Sequence, residues 1–274
     1  MWQRTRFDIA TEYEQDLIRH DLNDFDRLMH AEIGDVVVRE PFREVRRIDL
    51  PDGNRARCLY LKRCTHQALR KSLRSWRRFT SPHIENVREY RMVDALRRAG
   101  MPVMEPIAWG EQRVLGFPRR GFLLVRGVEG IEVTAILARP DHPNRKPIIE
   151  AIGRLLGRLH GCGFYEAVRP RDLICTTQSA QAEATRLVLI DRESDEPTAQ
   201  AFSADACCRA LAKCHCKMHR SGFDLSKTER LRLMRSYLAS LDATWSARPR
   251  ESIDRISPYV ARYTAPGSKY EGLQ

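Results

Sequence analysis

Four charged residues, far apart in the sequence, have types and surroundings that suit one kind of chemistry. Lys62 lies in a strand-like run, where a sheet would fix its ammonium group for neutralising phosphate oxygens. Glu89 lies in a following helical stretch, and a carboxylate facing Lys62 would hold that ammonium in place and keep it charged. Asp172, on a polar loop, can accept or orient the proton of an attacking hydroxyl. Asp191 ends the apolar run 187–190, and a carboxylate there suits Mg²⁺ held against phosphates.

Each of these residues has a more ordinary interpretation when it is taken alone. A lysine on a strand is usually a solvated edge residue, a glutamate on a charged helix is usually at the surface, and an aspartate before a leucine is often a helix cap. Asp191 is the most informative of the four, because the four apolar residues before it predict that it is buried. The order and context of all four residues together favour phosphoryl transfer.

The segment 148–191 is predicted to deliver the two aspartates to one edge of a sheet. It begins with a helix, because its apolar residues recur at helical spacing and form one buried stripe: Ile148, Ile152, Leu155, Leu156 and Leu159. A Gly-rich turn ends this helix, a polar loop then presents Asp172, and a short strand leads into Asp191.

The first half of the chain is predicted to be rich in strands. In chain order we expect a short helix capped by Asn23, an antiparallel meander over 34–64 with a turn at Pro51-Asp52-Gly53-Asn54, a basic helix over 65–80, a helix from Ser81-Pro82 to Gly100, and strands at 107–110 and 122–125. The stretch 126–130 follows as a connector.

The second half is predicted to be helical. Besides the helix of residues 148–159, we expect helices at 203–221 and 226–244, the latter with Ser226 as N-cap and Glu229 completing a capping box. The tail after Pro249 is basic and weakly patterned. Strands followed by helices predict an α+β fold with two lobes, 1–127 and 128–274, and a small-molecule site between lobes of this kind is a common arrangement.

The composition and net charge indicate which kinds of partner the chain is expected to bind. The chain has 274 residues, of which 42% are hydrophobic, and a formal net charge of +11. This charge favours anionic partners such as a nucleotide, a phosphorylated sugar, nucleic acid or an acidic membrane face, although a basic surface can serve solubility alone. The start of the chain has no apolar core typical of a signal peptide, and no window approaches the roughly 20 apolar residues that span a bilayer. We therefore expect a cytoplasmic protein.

The eight cysteines are expected to be free thiols, because nothing in the sequence indicates secretion. Cys207-Cys208, Cys214-His215-Cys216 and His219 crowd one segment, but the spacing lacks the paired C-x-x-C steps of a zinc site, so thiols in a helix are favoured. Cys175 has no histidine nearby in sequence and is interpreted as a packing residue, and His160 as a structural hydrogen-bonding residue.

The basic run from Arg70 to Arg78 could contact an anionic ligand. It lacks the aromatic interleaving of a nucleic-acid stacking platform, so an anionic lipid or a sugar phosphate is the better candidate and no nucleic-acid partner is expected. An ordinary amphipathic helix with a solvated charged face is the simpler interpretation.

Several short motifs, in order, resemble those of the lipopolysaccharide core kinases, the Kdo/heptose kinase family of the protein-kinase-like fold. The similarity extends from about residue 34 to about residue 240 and is carried by Leu61-Lys62-Arg63, Glu89, Gly100-Met101-Pro102-Val103, Pro106-Ile107-Ala108-Trp109-Gly110, Leu159-His160, Arg171-Asp172-Leu173 and Leu189-Ile190-Asp191. The resemblance implies a bilobal fold with a strand-rich N-lobe and a helical C-lobe, with ATP and Mg²⁺ as co-substrates.

The same resemblance implies roles for individual residues. Lys62 would contact the α and β phosphates, Glu89 would pair with it, Asp172 would be the catalytic aspartate and Asp191 the metal ligand. The acceptor would be a sugar hydroxyl of a lipopolysaccharide-type glycolipid, which places the protein in the cytoplasm, at the periphery of the inner membrane, with an anionic membrane surface as a further partner.

The sequence departs from the family pattern in four places, one of which is a longer segment between Gly163 and Asp172, with Glu166-Ala167-Val168-Arg169 as extra residues. The catalytic triplet is Pro170-Arg171-Asp172 instead of His-Arg-Asp, and Thr177 stands where the family places a metal-binding Asn or His. A threonine hydroxyl can ligate Mg²⁺, and Gln178 is an equal candidate. No G-x-G-x-x-G is present, and Gly34 is assigned to the turn that covers the phosphates. These departures keep open a second interpretation, a pseudokinase that binds nucleotide or glycolipid and regulates a partner without phosphotransfer.

Overall fold

The computed structural model describes residues 2–52, 55–67, 82–176, 185–192, 197–241 and 249–268. The chain forms two compact units, one of Met1–Gly127 with Asp191–Pro197, the other of Val128–Ile190 with Thr198–Gln274. Most of the predicted basic helix, together with Thr177 and Gln178, lies outside the described residues, so these predictions stay predictions.

The first unit is built on a six-stranded antiparallel sheet. Its strands are β1 (Gln3–Ile9), β2 (Asp35–Glu40), β3 (Arg43–Asp52), β4 (Arg55–Cys64), β5 (Pro106–Val114) and β6 (Phe117–Arg126), arranged in the order β1-β5-β6-β4-β3-β2. The meander predicted over 34–64 is confirmed as the three strands β2 to β4. Strands β5 and β6 are longer than predicted, and they are joined at Leu115-Gly116, where both residues have positive φ, as tight hairpin turns require.

Register places Lys62 in the middle of this sheet. It is paired with Val45 of β3 on one side and with Leu123 of β6 on the other. Since neighbours across a sheet share a face, these three side chains lie on the same face. A lysine between two paired strands cannot be the solvated edge residue that a strand lysine usually is.

The opposite face of the sheet is covered by the N-terminal segment. Helices α1 (Glu14–Arg19) and α2 (Phe25–His30) pack an apolar cluster that includes Leu17, Phe25 and Leu28 against Leu61 and Phe122. The predicted cap of the short helix is one residue off, because Asp24, not Asn23, accepts a hydrogen bond from the backbone N–H of Arg27. Strand β1, which pairs with β5, has no counterpart in the sequence prediction.

The face that carries Lys62 is covered by helix α3 (Glu85–Arg98). The helix ends before Gly100, whose φ of +71° supplies the predicted left-handed stop. Its start differs from the prediction, since the helix begins at Glu85, with Ile84 as N-cap, rather than at Ser81-Pro82. Val87 on α3 and Ile84 before it pack against Cys64 of the sheet.

The second unit is mainly helical. Its helices are α4 (Val133–Leu137), α5 (Arg145–Gly161), α6 (Ala204–Arg220), α7 (Lys227–Ser240) and α8 (Pro249–Thr264). The capping box at the start of α7 is confirmed, with Ser226 and Glu229 exchanging side-chain to backbone hydrogen bonds. Helix α7 ends at Ser240, short of the predicted 244. The weakly patterned tail, for which no helix was predicted, forms α8, which packs against α6.

Helices α5 and α7 approach closely because glycines stand at their contact. A Cβ atom added at Gly153 would lie 2.4 Å from the carbonyl oxygen of Leu233, and one at Gly157 would lie 2.4 Å from that of Tyr237. Both distances are far inside van der Waals contact. The backbone of α5 therefore lies directly on that of α7, and the apolar stripe predicted on α5 is buried.

A three-stranded antiparallel sheet completes the second unit. It consists of β7 (Ile131–Glu132), β8 (Leu173–Thr176) and β9 (Arg186–Leu189), with β8 in the centre. The predicted strand before Asp191 is confirmed as β9, and the α+β fold class is confirmed by the two units. In the part of the chain that the structure describes, no helix is both long enough and apolar enough to cross a bilayer.

Candidate active site

Lys62 is the centre of the charged cluster in the first unit. Its side chain is only 9% exposed, and its Nζ lies 2.6 Å from Oε1 of Glu89 and within ion-pair contact of Oδ1 of Asp191. The ion pair predicted between Lys62 and Glu89 is therefore present. Three residues separated by up to 129 positions in the chain meet at one nitrogen atom.

Helix α3 brings Glu89 to Lys62, and Asn86 holds the helix in register. The Asn86 side chain, one helical turn before Glu89, donates a hydrogen bond of 2.7 Å to the backbone carbonyl of Lys62. Asn86 and Glu89 are both buried, at 3% and 6% exposure. Since residues three apart lie on one side of a helix, the two side chains fix the same face of α3 against strand β4.

The start of α3 is anchored by a buried carboxylate that the sequence analysis missed. Glu111 of β5 is 1% exposed and accepts a hydrogen bond of 2.9 Å from the backbone N–H of Ile84. Arg113 and His83 lie within ion-pair distance of the same carboxylate, at 2.5 and 3.4 Å. Burial alone would raise the pKa of Glu111, but these hydrogen bonds and the charge of Arg113 lower it below its usual range.

The charges of the cluster depend on one another. Burial alone would lower the pKa of Lys62, but the carboxylates of Glu89 and Asp191 outweigh burial and raise it. Burial raises the pKa of Glu89, against the opposing effect of Lys62. The two carboxylates thus keep the Lys62 ammonium charged although it is buried.

The prediction that Asp191 is buried is wrong. Its side chain is 51% exposed, although Leu189 shortly before it is completely buried. The backbone of Asp191 has a φ of +52°, a left-handed conformation that aspartate tolerates better than most residues and that turns the chain out of the line of β9. One carboxylate oxygen contacts Lys62, and about half of the Asp191 side chain is exposed to solvent.

Asp172 lies in the second unit, in a single 3-10 turn at Pro170–Asp172 just before β8. It is 1% exposed, and the Nε of Arg169 donates to both of its carboxylate oxygens, at 2.8 and 3.0 Å. No role for Arg169 was predicted from the sequence. A lone arginine three positions before the aspartate carries no local pattern that would indicate this contact.

The small sheet of the second unit sets the backbone around Asp172. Strands β8 and β9 pair Leu173 with Leu189, and the ladder continues with the N–H of Ile190, which donates to the carbonyl oxygen of Asp172 at 2.9 Å. Asp191 is the next residue after Ile190 in the chain. The structure thus brings Lys62, Glu89 and Asp191 together, and it fixes Asp172 opposite the residue that precedes Asp191.

Gly34 does not form the hairpin turn that follows β2. That turn, between β2 and β3, is Pro41-Phe42. Gly34 precedes β2 at the other end of the hairpin, and a Cβ there would lie 2.1 Å from the carbonyl oxygen of Arg47. The glycine is needed for close backbone packing, and its assignment to a phosphate-covering turn is wrong.

His160 and the cysteines of α6 lie in surroundings that are typical of structural residues. His160 is completely buried, burial lowers its pKa to about 4, and its Nδ1 lies 3.0 Å from the hydroxyl of Tyr237. The cysteines of α6 are buried, and the described residues contain no group of three or more His, Cys, Asp or Glu side chains that could hold a metal ion.

Comparison with protein families decides the affiliation of the chain. The model of the lipopolysaccharide kinase (Kdo/WaaP) family matches residues 35–237, which is more than half of the chain. The chain belongs to the lipopolysaccharide kinase (Kdo/WaaP) family. The match includes Lys62, Glu89, Asp172 and Asp191. A comparison with curated proteins finds no match.

The fold of this family member is similar to solved kinase structures. WaaP in complex with acyl carrier protein is 17% identical, with a TM-score of 0.65, over 94% of this chain and 95% of that chain. The Rio2 kinase in an ADP/Mg²⁺-phosphoaspartate complex, from Chaetomium thermophilum, is 13% identical, with a TM-score of 0.45, over 92% of this chain and 75% of that chain. An aminoglycoside-3'-phosphotransferase of type VIII is 13% identical, with a TM-score of 0.48, over 90% and 99%. The protein-kinase-like fold expected from the sequence is confirmed.

Proposed function

We propose that this member of the lipopolysaccharide kinase family transfers the γ-phosphate of ATP to a sugar hydroxyl of a lipopolysaccharide-type glycolipid. The observation that carries the proposal is the buried ammonium of Lys62 held between Glu89 and Asp191. A fixed positive charge beside a half-exposed carboxylate suits the binding of a metal-bound triphosphate.

The residues present fit ATP and Mg²⁺. The Lys62 ammonium has three N–H donors and, in the described part of the chain, two carboxylate partners, so one donor can reach a phosphate oxygen. The half-exposed carboxylate of Asp191 is an oxygen ligand of the kind that Mg²⁺ prefers. When bound, magnesium and ATP supply the transferable phosphoryl group and neutralise its developing charge.

Each residue has a distinct role in this mechanism. Lys62 would neutralise phosphate oxygens, Glu89 keeps the ammonium charged and in place, and Asp191 would hold the metal. Asp172 orients the acceptor hydroxyl and accepts its proton, and the guanidinium of Arg169 fixes the carboxylate for that task. Thr177 stays a proposed further ligand, since it lies outside the described residues.

The proposal is tested by transfer of radiolabelled phosphate from ATP to total envelope glycolipid. We expect Asp172→Asn to lower the transfer rate by about 10²–10⁴-fold, the usual contribution of a positioned base, and Asp191→Ala to abolish it. Asp254→Asn, an exposed aspartate of α8, is the control and should transfer at the wild-type rate. Full activity of Asp172→Asn would disprove its assigned role.

A second candidate function is nucleotide or glycolipid binding without phosphotransfer. It is favoured by Arg169, because its guanidinium already contacts both of the oxygens with which Asp172 would approach an acceptor hydroxyl. A wild-type protein that binds ATP with Mg²⁺ but transfers no phosphate to any glycolipid extract would select this function over the first.

The location and a protein partner are also proposals. We place the protein in the cytoplasm, where ATP is available, at the periphery of the inner membrane, and cell fractionation tests this. An acyl carrier protein is the proposed partner, because WaaP was solved with one and because the second unit here contains an apolar cavity of about 410 Å³. Its lining includes Leu156, Leu211, Met218, Met234 and Ile256.

The partner proposal has its own test. Binding of acylated and unacylated carrier protein to the full chain should differ, with the acylated form tighter, since the acyl chain would occupy the cavity. A cavity-filling Met234→Trp variant should remove that difference. Equal binding of both forms to the wild-type protein would disprove entry of the chain into the cavity.

A further inference from the structure

The second unit contains a groove that the proposed phosphotransfer does not use. It lies along α7 and is bordered by the beginnings of α5 and α8, with a volume of about 920 Å³. Sites for small organic ligands occupy roughly 300–1,000 Å³. The groove is therefore large enough for a sugar ring with substituents, and much larger than a single inorganic ion needs.

Cations from three helices line this groove. They are Lys146 of α5, Arg232 and Arg235 of α7, and Arg250 of α8, against the carboxylates Glu150 and Glu251. Glu150 lies 3.5 Å from Arg232 within the groove, and the lining holds four cations against two carboxylates. The groove consequently has an excess of positive charge.

Three of the cations have no protein partner among the residues that the structure describes. Lys146, Arg235 and Arg250 are exposed, and none of them makes an ion pair or a side-chain hydrogen bond there. Cations gathered on converging helices repel one another, and an anionic ligand relieves that repulsion. Charges that serve solubility alone would be spread over the protein surface, whereas these cations lie on three helices around one groove.

The remaining lining suits a phosphorylated sugar. Thr228 and Ser236 supply hydroxyls, and Leu231 and Pro249 supply apolar surface, between the charged side chains. Guanidinium groups bind phosphate with two parallel hydrogen bonds, while hydroxyls and apolar patches match the edge and face of a sugar ring. We propose that this groove binds a phosphate-bearing saccharide, at a site separate from the residues assigned to phosphotransfer.

The saccharide phosphate could be a free sugar phosphate or the head group of a glycolipid. Calorimetry of the full chain with glucose 6-phosphate and with glucose tests the first source. Flotation with phosphatidylcholine vesicles that carry a phosphorylated disaccharide glycolipid, and with vesicles that carry its dephosphorylated form, tests the second. Neither measurement requires phosphotransfer, so failure of the proposed kinase activity would leave this proposal standing, and the reverse also holds.

A pair of double variants separates the groove from general surface charge. Arg235→Ser with Arg250→Ser removes two unpartnered cations of the groove, and we expect roughly tenfold weaker binding of the phosphorylated probe. Arg220→Ser with Arg262→Ser removes two exposed arginines near the ends of α6 and α8, and should bind like the wild-type protein. All four positions are exposed, so both double variants should unfold at the wild-type temperature. If the Arg235→Ser with Arg250→Ser variant does not fold, Lys146→Ser with Arg250→Ser replaces it.

Every outcome decides the proposal. Weakened binding in the groove variant alone, with either probe, supports it, and the probe that binds identifies the source. Binding that falls equally in both double variants, that does not fall in the groove variant, or that does not distinguish phosphorylated from unphosphorylated probes would overturn it. The absence of binding with both probes would overturn it as well.

Discussion

Lys62 is charged in surroundings where burial alone would favour its neutral form, and two carboxylates reverse that preference. The arrangement has a cost, because removing one partner of a buried pair leaves the other charge without compensation. Glu89, at 6% exposure, would be that uncompensated group, whereas the half-exposed Asp191 can be solvated. The proposed phosphate contact and the stability of the first unit therefore depend on the same nitrogen atom.

Lys62→Met is accordingly expected to lower the free energy of unfolding of the first unit by about 3–5 kcal/mol, the usual cost of breaking a buried pair. The double variant Lys62→Met with Glu89→Leu should recover most of that loss, since no buried charge remains. Denaturant unfolding of both variants measures this. A single variant as stable as the wild-type protein would mean that Glu89 is not buried as the structure has it.

Glu111 gives a pH-dependent prediction. Its folded-state pKa is lowered, so its contribution to stability is present above the ordinary value of 4.5 and is lost as the pH falls through the lower folded-state pKa. We expect the wild-type protein to be more stable than Glu111→Gln at neutral pH, with the difference shrinking as the pH falls below 4.5. Urea unfolding at a series of pH values, with the exposed Glu40→Gln as control, checks this, and a constant difference would contradict it.

Residue types and chain order were sufficient to predict Lys62, Glu89, Asp172 and Asp191 as candidates, but their surroundings were not. Burial of Asp191 was inferred from the apolar residues before it, and its left-handed backbone reverses that inference. Arg169 and Glu111 were missed because a lone arginine or glutamate carries no local pattern. Their roles depend on which distant groups the fold brings to them.

At the scale of elements, the contact between α5 and α7 depends on the absence of side chains at two positions. Gly153→Ala or Gly157→Ala would place a methyl group 2.4 Å from a backbone oxygen of α7. Backbone cannot move aside as the end of a flexible side chain can, so we expect destabilisation of about 1–3 kcal/mol.

The control for this prediction stands on the same helix. A Cβ at Gly161 has its nearest neighbour at 4.0 Å, so Gly161→Ala adds a methyl group without a clash. Its thermal unfolding temperature should be equal to or above that of the wild-type protein, because alanine favours a helix over glycine. Equal effects of alanine at positions 153 and 161 would contradict the close contact.

Elements with a strong period were predicted well, and elements stabilised by tertiary contact were not. The apolar stripe of α5 indicated a helix by itself. Helix α8 contains Pro258 and many charged residues, and it is stabilised by packing of residues such as Ile256. Strand β1 is mostly exposed and is defined by its backbone pairing with β5, which no short-range pattern reveals.

At the scale of the whole molecule, binding of ATP should appear as added stability. A ligand that binds only the folded protein stabilises it by about 2.7 kcal/mol at a concentration of one hundred dissociation constants. We expect ATP with Mg²⁺ to raise the unfolding temperature, and expect ATP with a chelator, or the Asp191→Ala variant, to lose the metal-dependent part of the rise. No rise with ATP and Mg²⁺, together with salt-sensitive binding of nucleic acid, would instead indicate a basic binding protein.

The path of the chain between the two units has a practical consequence. The chain leaves the second unit after Ile190, gives Asp191–Pro197 to the first, and returns to the second at Thr198. A gene fragment cut at Gly127 would encode strands β1 to β6 and helix α3. It would lack Asp191, the second carboxylate that contacts Lys62. Domain shuffling by a single crossover would therefore separate Lys62 from Asp191, and a transfer of the complete charged cluster into another protein would have to include the return segment Asp191–Pro197.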